Sequence, residues 1–197
     1  MHKTLIFLFL FLSSDVLFSQ NVNKYDKILN IENLPFNNHE VRIYRKHAIS
    51  TGLDMFRLYQ DHNNWVGEWY ETVATQNQKV QVKKSSLHLS NNPELVWVKI
   101  IDTDILHLPH WESIQYKLEK KNKEYFTEDG ENMVSRSKSV VVDGVSYYVK
   151  IKSDKTENEF EYYNPESYLK IYPNVDELIS FKELLDVLRS EFKFFDK

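Results

Sequence analysis

The sequence predicts an α+β domain: a mostly antiparallel β-sheet of about six to eight strands, covered by a C-terminal amphipathic helix. Three observations carry that reading. Segments of alternating apolar and polar residues recur along the chain, polar turn clusters join them in pairs, and the last apolar stripe repeats at helical spacing. Composition agrees, with twelve Tyr, twelve Phe and four Trp against only four Gly. Aromatic residues favour strands, where their large side chains pack on a pleated surface.

The chain starts with a different signal. His2 and Lys3 precede an unbroken run of Leu, Ile and Phe from Leu5 to Leu12, and Ser13, Ser14 and Asp15 end the run. A charged start, a short apolar core and a small residue at Ser19 form the order read as a secretory signal peptide. The run is far shorter than the roughly 20 residues needed to span a bilayer. Residues 1–19 are therefore expected to be a cleaved leader. Residues 20–197 are expected to form one soluble globular domain, exported to the periplasm or beyond the cell. Cleavage after Ser19 would place Gln20 at the new terminus, where it can cyclise.

The absence of cysteine removes disulfides, thiolate metal ligands, thiol nucleophiles and a lipid-bearing N-terminal cysteine. Neither a lipid anchor nor a membrane span is expected. The net charge is −4, and acidic and basic residues are interspersed, which does not match the basic footprint of a nucleic-acid binder. No Gly-rich phosphate loop is present.

Element by element, Glu40–Lys46 alternates as a strand. Leu53–Tyr59 and Trp65–Val73 read as a hairpin around the Asp61–Asn64 turn, and Lys79–Leu89 continues as a strand. Asn92 can cap a helix that has Pro93 at its first position and Glu94 in its first turn, so Leu95–Ile101 is read as helical despite its β-branched residues. Ile105–Pro109 is expected to be extended up to the proline. Ser113–Leu118 and Tyr125–Phe126 are weaker strand candidates. Lys138–Val142 and Val145–Lys152, joined by Asp143-Gly144, carry the strongest hairpin signal. With Glu159–Tyr163 they are expected to form a three-stranded meander. Asn164-Pro165-Glu166 begins one helical turn. Asn174 can cap the final helix, whose stripe is Leu178, Phe181, Leu184, Leu185, Leu188 and Phe192.

Candidate chemistry is sparse. Asp102, Asp104, His107, His110 and Glu112 are the densest set of metal-ligating residue types. Their spacing matches no defined metal motif, and Pro109 prevents His107 and His110 from sharing a regular helix face, so a polar loop is the favoured reading. Glu128, Asp129 and Glu131 flank Gly130 as a solvated loop would. Asp61 and Asn63 lack the Gly and terminal Glu of a calcium loop. No nucleophile elbow is present. No catalytic residue, metal or cofactor is assigned.

What remains is aromatic. On the Trp65–Tyr70 strand, Trp65, Gly67 and Trp69 share one face, and Val66, Glu68 and Tyr70 share the other. Glu68 is charged and is expected to face water unless paired, which makes Tyr70 the exposed ring and sends the tryptophans to the core. Tyr147/Tyr148 and Tyr162/Tyr163 point alternately to the two faces. Tyr70, Tyr148 and Tyr163 are thus the candidate ligand-binding residues, suited to stacking on a sugar or a protein partner. The function these features favour is an exported, non-catalytic binding module for a protein or carbohydrate. The alternative is an envelope hydrolase or metal-binding protein using Asp102–Glu112.

The leader ending in Ser19-Gln20 looks like those of exported Bacteroidota proteins. The stretches Asp143-Gly144-Val145-Ser146-Tyr147-Tyr148 and Asn164-Pro165-Glu166-Ser167-Tyr168 resemble small uncharacterised exported proteins of that group. The resemblance implies no activity, cofactor or site residue.

Overall fold

A computed structural model describes residues 24–48, 52–74, 80–89, 92–119, 123–136, 141–142 and 144–195. The predicted leader lies outside the described residues. No described helix is long and apolar enough to cross a membrane.

The fold is α+β. A short helix, α1 (24–28), precedes strands β1 (His39–His47), β2 (Leu53–Asp61), β3 (Asn64–Ala74) and β4 (Val80–Ser86). Helices α2 (Pro93–Asp102) and α3 (Trp111–Glu119) follow, then a separate hairpin, β5 (Lys123–Glu128) and β6 (Glu131–Arg136). Strands β7 (Val145–Ser153) and β8 (Thr156–Tyr163), with helices α4 (Pro165–Ile171) and α5 (Asp176–Phe192), complete the chain. The main sheet has six strands in the order β4-β3-β2-β1-β7-β8, all antiparallel.

One face of the sheet carries the main core. A single register row sets Trp69, Phe56, Ile43, Val149 and Phe160 side by side across five strands. The α5 stripe Leu178, Phe181, Leu184, Leu185 and Leu188 is buried in the same cluster. Ion pairs lash the helices together. Lys99 of α2 reaches Glu191 at 2.5 Å, Lys117 of α3 reaches Glu177 at 2.5 Å, and Arg189 grips Glu166 of α4 with two 2.8 Å bonds. Gly67 lies where the chain after β4 crosses the sheet. A Cβ there would come within 2.8 Å of the Leu89 side chain and 3.0 Å of the Leu87 Cβ, so a larger residue would make these leucines shift.

Several expectations need correction. Ser113–Leu118 is helical: alternation of Ile114 and Leu118 suits a strand, but Trp111, Ile114 and Leu118 at helical spacing are the buried residues. Val145–Ser153 pairs with β1 on one side and β8 on the other. Both its edges are occupied, so the Asp143-Gly144 hairpin with Lys138–Val142 does not form. Residues 138–140 and 143 lie outside the described residues. Gly144 instead abuts Asn164, whose side-chain carbonyl accepts from the Val145 backbone at 2.7 Å. Asn174 does not cap α5. Val175 occupies that position without a side-chain cap, and Asp176 and Glu177 supply the first-turn negative charge. Asn92 does cap α2, accepting from Leu95 at 3.1 Å.

Candidate functional site

The second face of the sheet holds the tyrosine candidates. Register sets Lys84, Tyr70, Met55, Tyr44, Tyr148 and Glu161 in one row across all six strands. The next row is Ser86, Glu68, Arg57, Arg42, Lys150 and Glu159. Tyr163, opposite Ser146 on edge strand β8, lies in the row on the other side of the Tyr70–Tyr148 row. The sequence thus places all three candidates on one face, as the alternation predicts.

Exposure is another matter. Tyr70 and Tyr148 are 3% and 5% exposed, while Tyr163 is 41% exposed. The segment that follows α1 covers the first two. Leu29 and Ile31 pack with Tyr44, Leu53, Met55, Tyr70 and Tyr148 into a second, smaller core. Glu68 does not face water, because it is paired. Glu68 is buried, and its carboxylate accepts from Tyr70 at 2.8 Å, Arg57 at 3.1 Å and Lys84 at 2.7 Å. A charge can be buried when it is paired and hydrogen-bonded, and alternation alone cannot reveal the pairing.

Glu40 is the centre of this ion network. It is fully buried, and it accepts from Arg42 Nε at 2.6 Å and from Arg57 Nε and a second Arg57 nitrogen at 2.7 and 3.1 Å. The Asn37 backbone and side-chain amides add bonds of 2.9 and 2.8 Å. Arg42 also donates to the Pro35 carbonyl at 3.1 Å, and Phe36 lies against both Arg42 and Lys150. Tyr44 donates to Asp26 of α1 at 2.5 Å. Burial pushes the Glu40 carboxyl up, but hydrogen bonds from Arg57 and the charges of Arg42 and Arg57 outweigh it and leave its pKa lowered. Glu68 is also lowered, by Lys84, Tyr70 and Arg57 against burial. Asp26 is raised by burial, which its hydrogen bond from Tyr44 and the charge of Arg42 only partly offset. Acids Asp26, Glu40 and Glu68 match bases Arg42, Arg57 and Lys84 in number. Their bonding fastens residues 26–37 to the sheet, a structural role.

The Asp102–Glu112 set does not converge. Asp104 bonds His107 at 2.8 Å on the surface, with both side chains well exposed. Among the described residues, no group of three or more His, Cys, Asp or Glu could hold a metal ion. Residues 103–107 form a turn, so the Ile105–Pro109 run is not extended over its first half, and Asn158 on β8 donates to the Ile105 and Leu108 carbonyls at 3.0 and 2.9 Å.

Among the described residues, an accessible apolar feature is the β5–β6 arm, a sheet of its own. Every side chain described from Lys123 to Ser135 is exposed, including Tyr125 at 80% and Phe126 at 43%. Tyr125 pairs with Val134, and Phe126 with Met133, so each face of the arm carries one apolar pair. Asp129 and Gly130 make the turn with positive φ. The sequence reading found a strand at Tyr125–Phe126 but not its partner. Met133-Val134 is too short to show alternation, and the Asp129-Gly130 pair between the two runs was the available signal.

No family model, curated protein or solved structure matches the chain.

Proposed function

We propose that the protein is an exported, non-catalytic interaction module that engages a protein partner through the β5–β6 arm. The observation that carries this reading is the exposed set Tyr125, Phe126, Met133 and Val134 on a hairpin set apart from the main sheet. A two-stranded ribbon is marginally stable alone in water and gains from a third strand or a packed face. Tyrosine and phenylalanine exposed in this way are typical anchors of protein interfaces. Glu128, Asp129 and Glu131 at the tip disfavour insertion into a bilayer, where charges are expensive. Burial of Tyr70 and Tyr148 withdraws two of the three rings that a carbohydrate platform on the sheet would have used. The leader-like residues 1–19 support export.

The test is affinity capture from the native cell envelope with the wild type and a Tyr125→Ser, Phe126→Ser variant. The reading expects the variant to melt as the wild type does and to lose the captured partner. Unchanged capture would sink the arm as the interaction element. Intact mass of the exported protein tests the leader, with a start at Gln20 expected.

A further inference from the structure

We propose that the partner of the arm is a second copy of this chain, joined through β6 in an antiparallel pairing that sets Val134 opposite the partner's Val134. This rests on the arm being the interaction element. It adds which edge pairs, in which register and with what.

The pairing makes a four-stranded sheet of the form β5-β6-β6-β5, which removes the exposed edge of β6 and relieves the marginal stability of a lone ribbon. A two-fold axis between antiparallel strands runs perpendicular to the sheet, so it preserves faces and centres on a single residue of the strand. Four central registers follow, centred on Tyr125 or Phe126 for β5, and on Met133 or Val134 for β6.

Charge separates them. A centre at Phe126 sets Glu124 directly opposite the partner's Glu128, a like-charge pair that destabilises a sheet. A centre at Tyr125 sets Glu124 against the partner's Phe126 on both sides of the axis, a charge against an aromatic ring. A centre at Met133 joins Phe126, Met133 and their partner copies in an apolar row, but it also sets Glu131 opposite the partner's Ser135, so that Glu128, Glu131 and the partner's Glu124 share one row broken only by that serine. A centre at Val134 avoids all of these. It joins Tyr125, Val134, the partner's Val134 and the partner's Tyr125 into one apolar row. Asn132 then stands opposite the partner's Arg136, and Met133 opposite the partner's Ser135. The acidic Glu128–Glu131 pair stays at the outer ends of the shared sheet. One six-residue strand on each side makes a small contact, so the dimer is weak and depends on concentration.

The chain contains no cysteine, so a single introduced thiol reports the register. Sedimentation of the wild type over rising concentration should show a reversible monomer–dimer equilibrium. Val134→Lys, which sets like charges opposite each other, should lose the dimer mass while thermal melting stays unchanged. Under mild oxidation Val134→Cys should give a disulfide-linked dimer, and Met133→Cys much less. A wild type that stays monomeric, a dimer that survives Val134→Lys, or equal crosslinking of the two cysteine variants would overturn the proposal. Monomeric sedimentation together with arm-dependent capture of a different protein would sink the second copy alone and leave the interaction reading standing. Capture indifferent to the arm substitutions would sink that reading itself.

Discussion

Replacing Glu40 with Gln should destabilise the fold by about 3 kcal/mol, the lower end of the roughly 3–5 expected when one partner of a buried ion pair is removed. The structure sets that position in the range. Arg42 and Arg57 are only 3% exposed, so neither can turn to water when the carboxylate is lost. Each keeps a second anion, however. Arg57 retains Glu68 at 3.1 Å, and Arg42 retains Asp26 at 3.7 Å. That residual pairing argues for the lower figure. In a chain of this size the loss corresponds to a fall in Tm of about 6–12 °C. Urea melts should show a lower midpoint with an unchanged slope. The pH dependence supplies an independent check. The folded Glu40 pKa lies below the ordinary 4.5. Its contribution is therefore complete above 4.5 and disappears as pH falls through the folded value. Asp26 has the opposite sign. Its pKa is raised, so its contribution is present below the ordinary aspartate value and is lost as pH rises through the folded one. The Gln variant should lose less stability than the wild type between pH 5 and pH 3. A loss under about 1 kcal/mol, with an unchanged acid limb, would mean that the network does not hold residues 26–37 in place.

Trp69→Ala should cost about 3–5 kcal/mol in denaturant melts, because it empties a site where the ring stacks on Phe194 at 4.4 Å. Tyr70→Phe removes a 2.8 Å bond to buried Glu68 and should cost about 1–3 kcal/mol in the same assay; a neutral result would return Tyr70 to the list of exposed rings. Asn158→Leu strands the Ile105 and Leu108 carbonyls and should raise amide exchange and proteolysis across residues 103–110, with little change at α5.

Strand positions and faces were legible in the sequence because period-two alternation survives in His39–His47, Leu53–Asp61, Asn64–Ala74 and Val145–Ser153. The α5 stripe was legible because it runs for 17 residues at helical spacing. Alternation identifies which residues share a face but not whether that face is covered. The charge of Glu68 pointed that face, and Tyr70 with it, to water unless Glu68 was paired, and the pairing is what the structure adds. Leu29 and Ile31, which pack with Tyr70, lie in a segment whose scattered apolar residues match no period. Charge pairing across strands is also invisible before the register is known: Glu40, Arg42 and Arg57 read as ordinary polar positions until β1 and β2 are placed side by side. The α3 error is of another kind. Nine residues are too few to separate the two periods when Ile114 and Leu118 satisfy both. The Asp143-Gly144 signal was a sound local one, overridden because β1 takes the edge of β7 that its hairpin partner needed.

Hydrogen exchange on the wild-type protein at low and high concentration tests the central claim most directly, because it reads the arm and the main sheet in one experiment. Slow exchange is expected in β2 and β1, the central strands, at both concentrations. Fast exchange is expected in Glu131–Arg136 when dilute, and protection there that grows with concentration. Arm amides that exchange equally fast at both concentrations, with no protection appearing in β6, would contradict that claim.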